Sequence, residues 1–270
     1  LETLRLPEAH QRTSAPAGRP HRVPVHLLAL VTAGRSAFTV DFASYPCRPG
    51  SLLWVRPGQM LTLPPSKLDA TLVLFEPDFP HQPDGAGNGR WETSGTYWQP
   101  AGEDEEAIVD GISQLEIDYQ RVITGEPIPL DVLRHHLAAL LLRVARLEPE
   151  GGPGLREADS EVFLRFRREV ESRFADSRQV DEYAQTLGCS VRTLTRASLA
   201  ATGRTAKQLV DDRVALEAKR LLAETEAPVA DIARRLGFTE PTNFGRFFAR
   251  TVGQSPGQFR VAHRPSSTSE

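Results

Sequence analysis

Two stretches near the carboxyl end carry donor-bearing side chains at matched spacing. "SVRTLTRASLAATG" (190–203) holds Arg192, Thr195 and Arg196, and "TEPTNFGRFFARTVG" (239–253) holds Thr242, Asn243 and Arg246. Each set falls on one face if its stretch is helical. Arginine presents a planar fork that matches the acceptor pair on a guanine edge, asparagine matches adenine, and threonine can meet either kind of edge. These six are therefore candidates for reading duplex DNA. Apolar residues lie between them: Val191, Leu194 and Leu199 are expected to face the core in the first stretch, and Phe244, Phe247 and Phe248 in the second.

Elsewhere the reactive residue types are sparse. Cys47 and Cys189 are the only cysteines, too few for a disulfide framework and wrongly spaced for zinc. His21, His26 and His81 show no His-x-His pattern, and no nucleophile stands with a base and an orienting acid. No catalytic residue, metal site or cofactor is expected, and the chain does not read as an enzyme. Trp54 with His26 or Arg35 is a candidate effector-binding set facing a small-molecule pocket. Trp54 as ordinary core is an equal alternative.

The elements that position the six donors repeat. Val180, Ala184, Leu187 and Gly188 recur forty-nine residues later as Val229, Ala233, Leu236 and Gly237. One further residue of offset brings Arg196, Gly203 and Gln208 onto Arg246, Gly253 and Gln258. Each unit reads as a short helix, a glycine break, and a second helix closed by another glycine. Glycine reaches positive φ without steric penalty, so the chain can reverse within a few residues. Ser190 and Thr239 stand where each would cap the following helix. Helix, tight turn and capped helix make a helix-turn-helix unit. Between the units, residues 206–225 read as one helix of roughly 30 Å, near the ~34 Å turn of a DNA duplex.

The two halves of the chain differ. Residues 1–160 hold 14 Lys/Arg against 21 Asp/Glu, whereas residues 161–264 hold 18 against 13. An acidic part joined to a basic one suits a module that meets polyanions. Residues 1–22 read as a loose lead-in. Short strands are expected at 25–31, 37–42, 51–55 and 68–75, separated by Gly/Pro turns, and they suggest a barrel or sandwich. Helices are expected at 103–123 and 129–147. The second is apolar over more than one face, which points to a partner subunit. "EPEGGPG" (148–154) signals a linker. The fold class expected is thus α+β in two domains: a sensor and dimerisation barrel with two helices over 1–147, a linker over 148–159, and an all-α domain over 160–264. No stretch is apolar enough to cross a membrane, and the amino end lacks an export signal, so a cytoplasmic protein is expected.

Residues 160–262 resemble the DNA-binding domain of AraC/XylS-type bacterial transcription regulators. The resemblance is carried by "S-x-x-x-L-x-R" at 190–196, "R-V-x-L-x-A-K-R-L-L" at 213–222, "V-x-D-I-A-x-x-L-G-F-x-E-x-x-N-F-x-R-x-F" at 229–248 and "G-Q-S-P-x-Q-F-R" at 253–260. It implies a seven-helix domain whose two helix-turn-helix units present the six donor residues to DNA. The sequence departs from the family at Ala206, often proline, at Ser198, where a large aromatic is common, and at Pro241, early in the second reading helix. "CRPGSLLWVRPGQ" (47–59) is similar to the cupin-type sensor barrel of many such regulators. The implied function is transcription regulation on promoter DNA, with RNA polymerase, a small-molecule effector and a second copy of the chain as partners. The alternative is an effector-independent regulator whose barrel only mediates dimer or partner contacts.

Overall fold

The computed structural model describes residues 1–12, 18–64, 67–80, 95–147 and 157–263. The chain divides into two compact units, Leu1–Glu150 and Gly151–Glu270.

The first unit holds nine strands and three helices among the described residues: β1 (Glu2–Arg5), α1 (Leu6–Arg12), β2 (His21–Arg22), β3 (His26–Gly34), β4 (Ser36–Val40), β5 (Ala43–Cys47), β6 (Leu52–Val55), β7 (Met60–Thr62), β8 (Leu68–Phe75), β9 (Tyr97–Trp98), α2 (Glu103–Ile123) and α3 (Leu130–Val144). The strands form two antiparallel sheets, ordered β1-β8-β3-β6-β9 and β2-β7-β4-β5. The expected barrel is therefore corrected to a sandwich of two sheets. Neither sheet's ladder continues into the other, and strands as short as β2 and β9 offer little backbone to carry one around. The five-stranded sheet is covered on both faces. Leu27, Ala29, Val31, Leu53 and Leu72 pack towards the other sheet, with Phe38, Val40 and Leu61. Leu28, Leu30, Leu52, Trp54, Val73 and Phe75 pack against Ile108, Ile112 and Leu115 of α2 and Leu137 and Leu141 of α3. Burial on both faces is why "HLLALV" is an unbroken apolar run rather than an alternating one.

Two expectations fail here for local reasons. Residues 1–22 are not a loose lead-in throughout. β1 pairs with β8 from Glu2↔Leu74 to Arg5↔Thr71, and Leu4 and Leu6 are buried. Phe42 does not continue the β4 face. It follows Asp41 in a two-residue hairpin turn, with φ of 48° at Asp41 and 68° at Phe42, the geometry that matches strand twist. Asp41 holds this turn by accepting from Gln59 Nε2 at 2.7 Å and from the Met60 amide at 3.0 Å.

The second unit is helical: α4 (Glu157–Arg173), α5 (Val180–Thr186), α6 (Val191–Thr202), α7 (Ala206–Glu224), α8 (Val229–Arg235), α9 (Pro241–Val252) and α10 (Pro256–His263). Of the expected linker, residues 148–156 lie outside the described residues and 157–159 open α4. Gly188 and Gly237 end the first helix of each unit with φ of 64° and 72°. At Gly237 a Cβ would also stand 2.7 Å from the Ala175 carbonyl oxygen, so only glycine fits. Behind α6 lies a core of Phe166, Val170, Tyr183, Ala184, Leu194, Ala206 and Val210. Behind α9 lies a chain of rings: Phe238 to Phe244 at 5.3 Å, Phe244 to Phe248 at 5.8 Å, and Phe248 to Phe259 at 5.7 Å.

Candidate nucleic-acid interface and ligand cavity

α6 and α9 repeat one exposure pattern. Leu194, Ala197 and Ser198 are buried in α6, and Phe244, Phe247 and Phe248 take the same positions in α9. The opposite faces carry Arg192 and Arg196, both exposed, with Thr195 half-buried, and Thr242, Asn243 and Arg246, all exposed. Val191 and Leu199 do not face the core as the sequence pattern suggests. They are 42% and 45% exposed, because the buried stripe is narrow and centred on Leu194 and Ala197.

The helix starts differ. Ser190 caps α6, its hydroxyl accepting from the Thr193 amide at 3.0 Å. Thr239 does not cap α9. The extra residue between the units shifts that role to Glu240, whose side chain makes no capping bond, and Pro241 occupies the first turn. Proline removes one N–H and Glu240 places a carboxylate beside the rest, so this helix start attracts anions less than one with all its donors and no acid next to it.

Positive charge is supplied there by other elements. Asn243, Arg246 and Arg250 of α9 line a cleft of about 440 Å³ together with Thr239, Arg178 and Lys207. The Arg178 guanidinium lies 3.7 Å over the Phe238 ring, and its Nη2 donates to the Gly237 carbonyl at 3.2 Å. Burial draws its pKa down from the ordinary arginine value, with the Asp211 carboxylate opposing. Lys207 Nζ donates to the Arg178 carbonyl at 3.3 Å and to Asp211. Sequence reasoning missed Arg178, Lys207 and Arg250. Arg250 was within reach, four residues beyond Arg246 on the same exposed row. Arg178 and Lys207 join the cleft only through tertiary folding.

In the first unit, His26 and Trp54 are brought together and Arg35 is not. Trp54 is fully buried, and its Nε1 donates to His26 Nδ1 at 3.2 Å. His26 stacks on Phe75 at 4.9 Å. Burial, helped by the nearby Arg56 charge, pulls the His26 pKa down to about 4, so the ring is neutral. Trp54 and Phe75 belong to the layer packed against α2 and α3 rather than to the space between the sheets. Arg35 is exposed in the turn after β3, seven residues along from Leu28, which pairs with Trp54. His81 lies outside the described residues. The space between the sheets holds a separate cavity of about 270 Å³, walled by Leu4, Leu27, Leu61, Leu72 and Leu74 with His21. Three of its wall elements, β1, α1 and β2, come from the segment the sequence pattern leaves unstructured. Among the described residues, no three His, Cys, Asp or Glu side chains could hold a metal.

A helix-turn-helix domain model matches residues 183–262, and an AraC-like ligand binding domain model matches residues 8–101. The chain thus carries an AraC-like ligand binding domain followed by a helix-turn-helix domain. Over 91 residues the chain is 35% identical to the HTH-type transcriptional activator RhaS of Escherichia coli (strain SE11), covering 34% of the chain and 33% of RhaS. It thus spans about a third of the length of the curated relatives it matches. Among solved structures it is similar to ToxT from Vibrio cholerae O395, at 10% identity and a TM-score of 0.46 over 98% of this chain and 97% of ToxT. It is also similar to the C-terminal domain of AraT, a response regulator from Geobacillus stearothermophilus, at 26% identity and a TM-score of 0.37 over 40% of this chain and 91% of that one. No helix among the described residues is long and apolar enough to cross a membrane.

Proposed function

We propose that this chain is a sequence-specific transcription regulator that reads promoter DNA with α6 and α9 and answers a small effector in its first unit. One observation carries the reading: two helices with the same exposure pattern, each behind a glycine turn, are joined by a single rod. α7 has 19 residues, roughly 28 Å of helix at ~1.5 Å per residue. That length suits two reading helices in successive major grooves, ~34 Å apart, on one side of the duplex.

Each residue then has a role. Arg192, Thr195 and Arg196 of α6, and Thr242, Asn243 and Arg246 of α9, meet base edges. Arg178, Lys207 and Arg250 hold the backbone phosphates beside α9, where the helix start itself has little attraction for them. The cavity between the sheets favours an effector-responsive regulator over one whose first unit serves only for contacts with other proteins. Ile117, Ile123, Leu130 and Leu142 on α2 and α3 are exposed apolar residues and suit pairing with a second copy. Effector binding would act by shifting the population of a DNA-binding state. In this reading the chain is a cytoplasmic homodimeric activator that engages RNA polymerase, and it is not an enzyme.

The test is selection of duplexes from a random pool by the full chain, followed by titration of a selected duplex at rising salt. A selective site whose affinity falls steeply with salt is the expected result. Equal affinity for selected and random duplexes overturns the reading.

A further inference from the structure

The outer face of α6 carries a residue type that its counterpart on α9 lacks. Arg192, Arg196 and Leu199 stand at i, i+4 and i+7, the spacing that puts three side chains on one face of a helix. All three are exposed. The corresponding face of α9 carries Thr242, Arg246 and Ala249, also exposed. The arginine recurs, and the third position changes from alanine to leucine.

The leucine does nothing for the helix that alanine would not. The Leu199 carbonyl accepts from the Gly203 amide, and the Ala249 carbonyl accepts from the Gly253 amide, both at 2.9 Å. The two helices thus end alike with either side chain, and alanine has the higher helix propensity. The core behind α6 closes on Phe166, Tyr183, Leu194 and Val210 without Leu199. A single exposed leucine is ordinary on a protein surface. Here, among the described residues of the second unit, the exposed large apolar side chains are Val191, Leu199 and Val261, and two of the three stand on α6. Val191, Thr195 and Leu199 follow one another at intervals of four, so side chains ending in methyl groups make a row beside the arginines.

Leucine has no donor for a phosphate or for an acceptor on a base. Among the groups that base edges show in the major groove, the C5-methyl of thymine is the apolar one. We propose that Leu199 is a specificity-determining residue that packs on the C5-methyl group of a thymine beside the bases met by Arg192 and Arg196. This rests on the DNA-reading role given to α6 above and extends it from hydrogen bonding to apolar contact. In α9 the Ala249 side chain stops at Cβ, so the second helix makes little of the same contact.

The full chain is titrated with the duplex it selects from a random pool and with versions in which each thymine in turn is replaced by deoxyuridine. Uracil keeps the pairing edge and the O4 acceptor and lacks only the C5-methyl group. Replacement of one thymine is expected to weaken binding about fourfold, the equivalent of ~0.8 kcal/mol for one buried methyl group. Leu199→Ala is expected to lose at least as much on the thymine duplex and to bind the thymine and uracil duplexes alike. Thr242→Ala, on the other reading helix, is expected to keep the fourfold difference. Leu199 is exposed, so its truncation leaves the fold intact, and the Tm of the variant checks this. Selection repeated with Leu199→Gln, similar in reach but polar, is expected to lose the thymine at that position. If no thymine responds to loss of its methyl group, or if Leu199→Ala keeps the response, the proposal is overturned and the hydrogen-bonding role of α6 stands. Failure to select any duplex at all removes both.

Discussion

The two helix-turn-helix heads share one plan and are built from different materials. Behind α6 the buried positions are Leu194, Ala197 and Ser198, and behind α9 they are Phe244, Phe247 and Phe248. Head one rests on an aliphatic core topped by Tyr183, which stacks edge-on with Phe166 at 5.7 Å and donates to the Ser177 carbonyl at 2.8 Å. Head two rests on a run of phenylalanine rings. The outer faces differ in parallel. α6 starts with a serine cap and shows Val191 and Leu199, whereas α9 starts with Glu240 and Pro241 and borrows Arg178 and Lys207 from elsewhere. A helix-turn-helix therefore constrains burial pattern and turn geometry more than residue identity. That leaves each head free to divide base reading and backbone grip differently.

The largest expected effect tests the cores. Phe248→Ala removes a ring from the middle of the head-two stack and should cost about 3–5 kcal/mol. Leu194→Ala in head one should cost about 2–5 kcal/mol, with the lower part of the range favoured because small neighbours such as Ala197 and Ser198 allow collapse. Chemical denaturation followed by circular dichroism measures both. Equal losses would show that the aromatic stack adds nothing beyond its area. Ser198 sharpens the point. Its hydroxyl is fully buried and lacks a hydrogen-bond partner among the described residues, so Ser198→Ala should be neutral or stabilising by up to about 1 kcal/mol.

The turn glycines come next. Gly188→Ala meets only the penalty of positive φ, since a Cβ there has open space, and should cost about 1–2 kcal/mol. Gly237→Ala adds a collision with the Ala175 carbonyl at 2.7 Å and should exceed that, at about 3 kcal/mol or more. The same denaturation experiment decides it. If the two variants lose equal stability, the Ala175 approach relaxes at no cost.

These differences mark what was legible in the sequence. The helices of the second unit stood out because period-3.6 apolar residues and glycine punctuation are local signals. The same periodicity suffices to put Arg192, Arg196, Thr242, Asn243 and Arg246 on outer faces. It did not reveal that Val191 and Leu199 are exposed, because apolar residues on a helix flank do not say how wide the buried stripe is. β1 and α1 escaped notice because their order depends on pairing Glu2 with Leu74 across the chain, which no local pattern reports. The basic cleft escaped for the same reason, as did the cavity with His21. The sequence groups Trp54 with either His26 or Arg35, and only strand pairing decides that it meets His26. Which side of the sheet they face was set by the placement of α2 and α3.

On the outer faces, Arg196→Ala and Arg246→Ala should each reduce discrimination between the selected duplex and a mismatched one by about 1–3 kcal/mol. Arg178→Ala and Lys207→Ala should instead weaken all duplexes alike and lower the salt slope by about one unit each. Competition binding at several salt concentrations separates the two outcomes. A uniform loss for Arg246→Ala would assign that residue to phosphate contact rather than base reading, in keeping with the basic cleft it lines.

The smallest effect concerns the helix starts and divides the heads most cleanly. Ser190 accepts from the Thr193 amide, and its hydroxyl also meets the Thr193 hydroxyl at 2.9 Å. Ser190→Ala leaves an amide of the first turn without that partner and should cost about 1 kcal/mol. Thr239 stands one residue before the α9 cap and makes no capping bond, so Thr239→Ala should change stability by no more than about 0.5 kcal/mol. The helix at stake in head two starts on Pro241, whose ring already fixes φ near the helical value and whose missing N–H needs no acceptor. A capping hydroxyl is thus less necessary there, and position 239 is free to line the basic cleft instead. If Thr239→Ala proves as costly as Ser190→Ala, α9 is capped in solution as α6 is, and the two helix starts are alike after all.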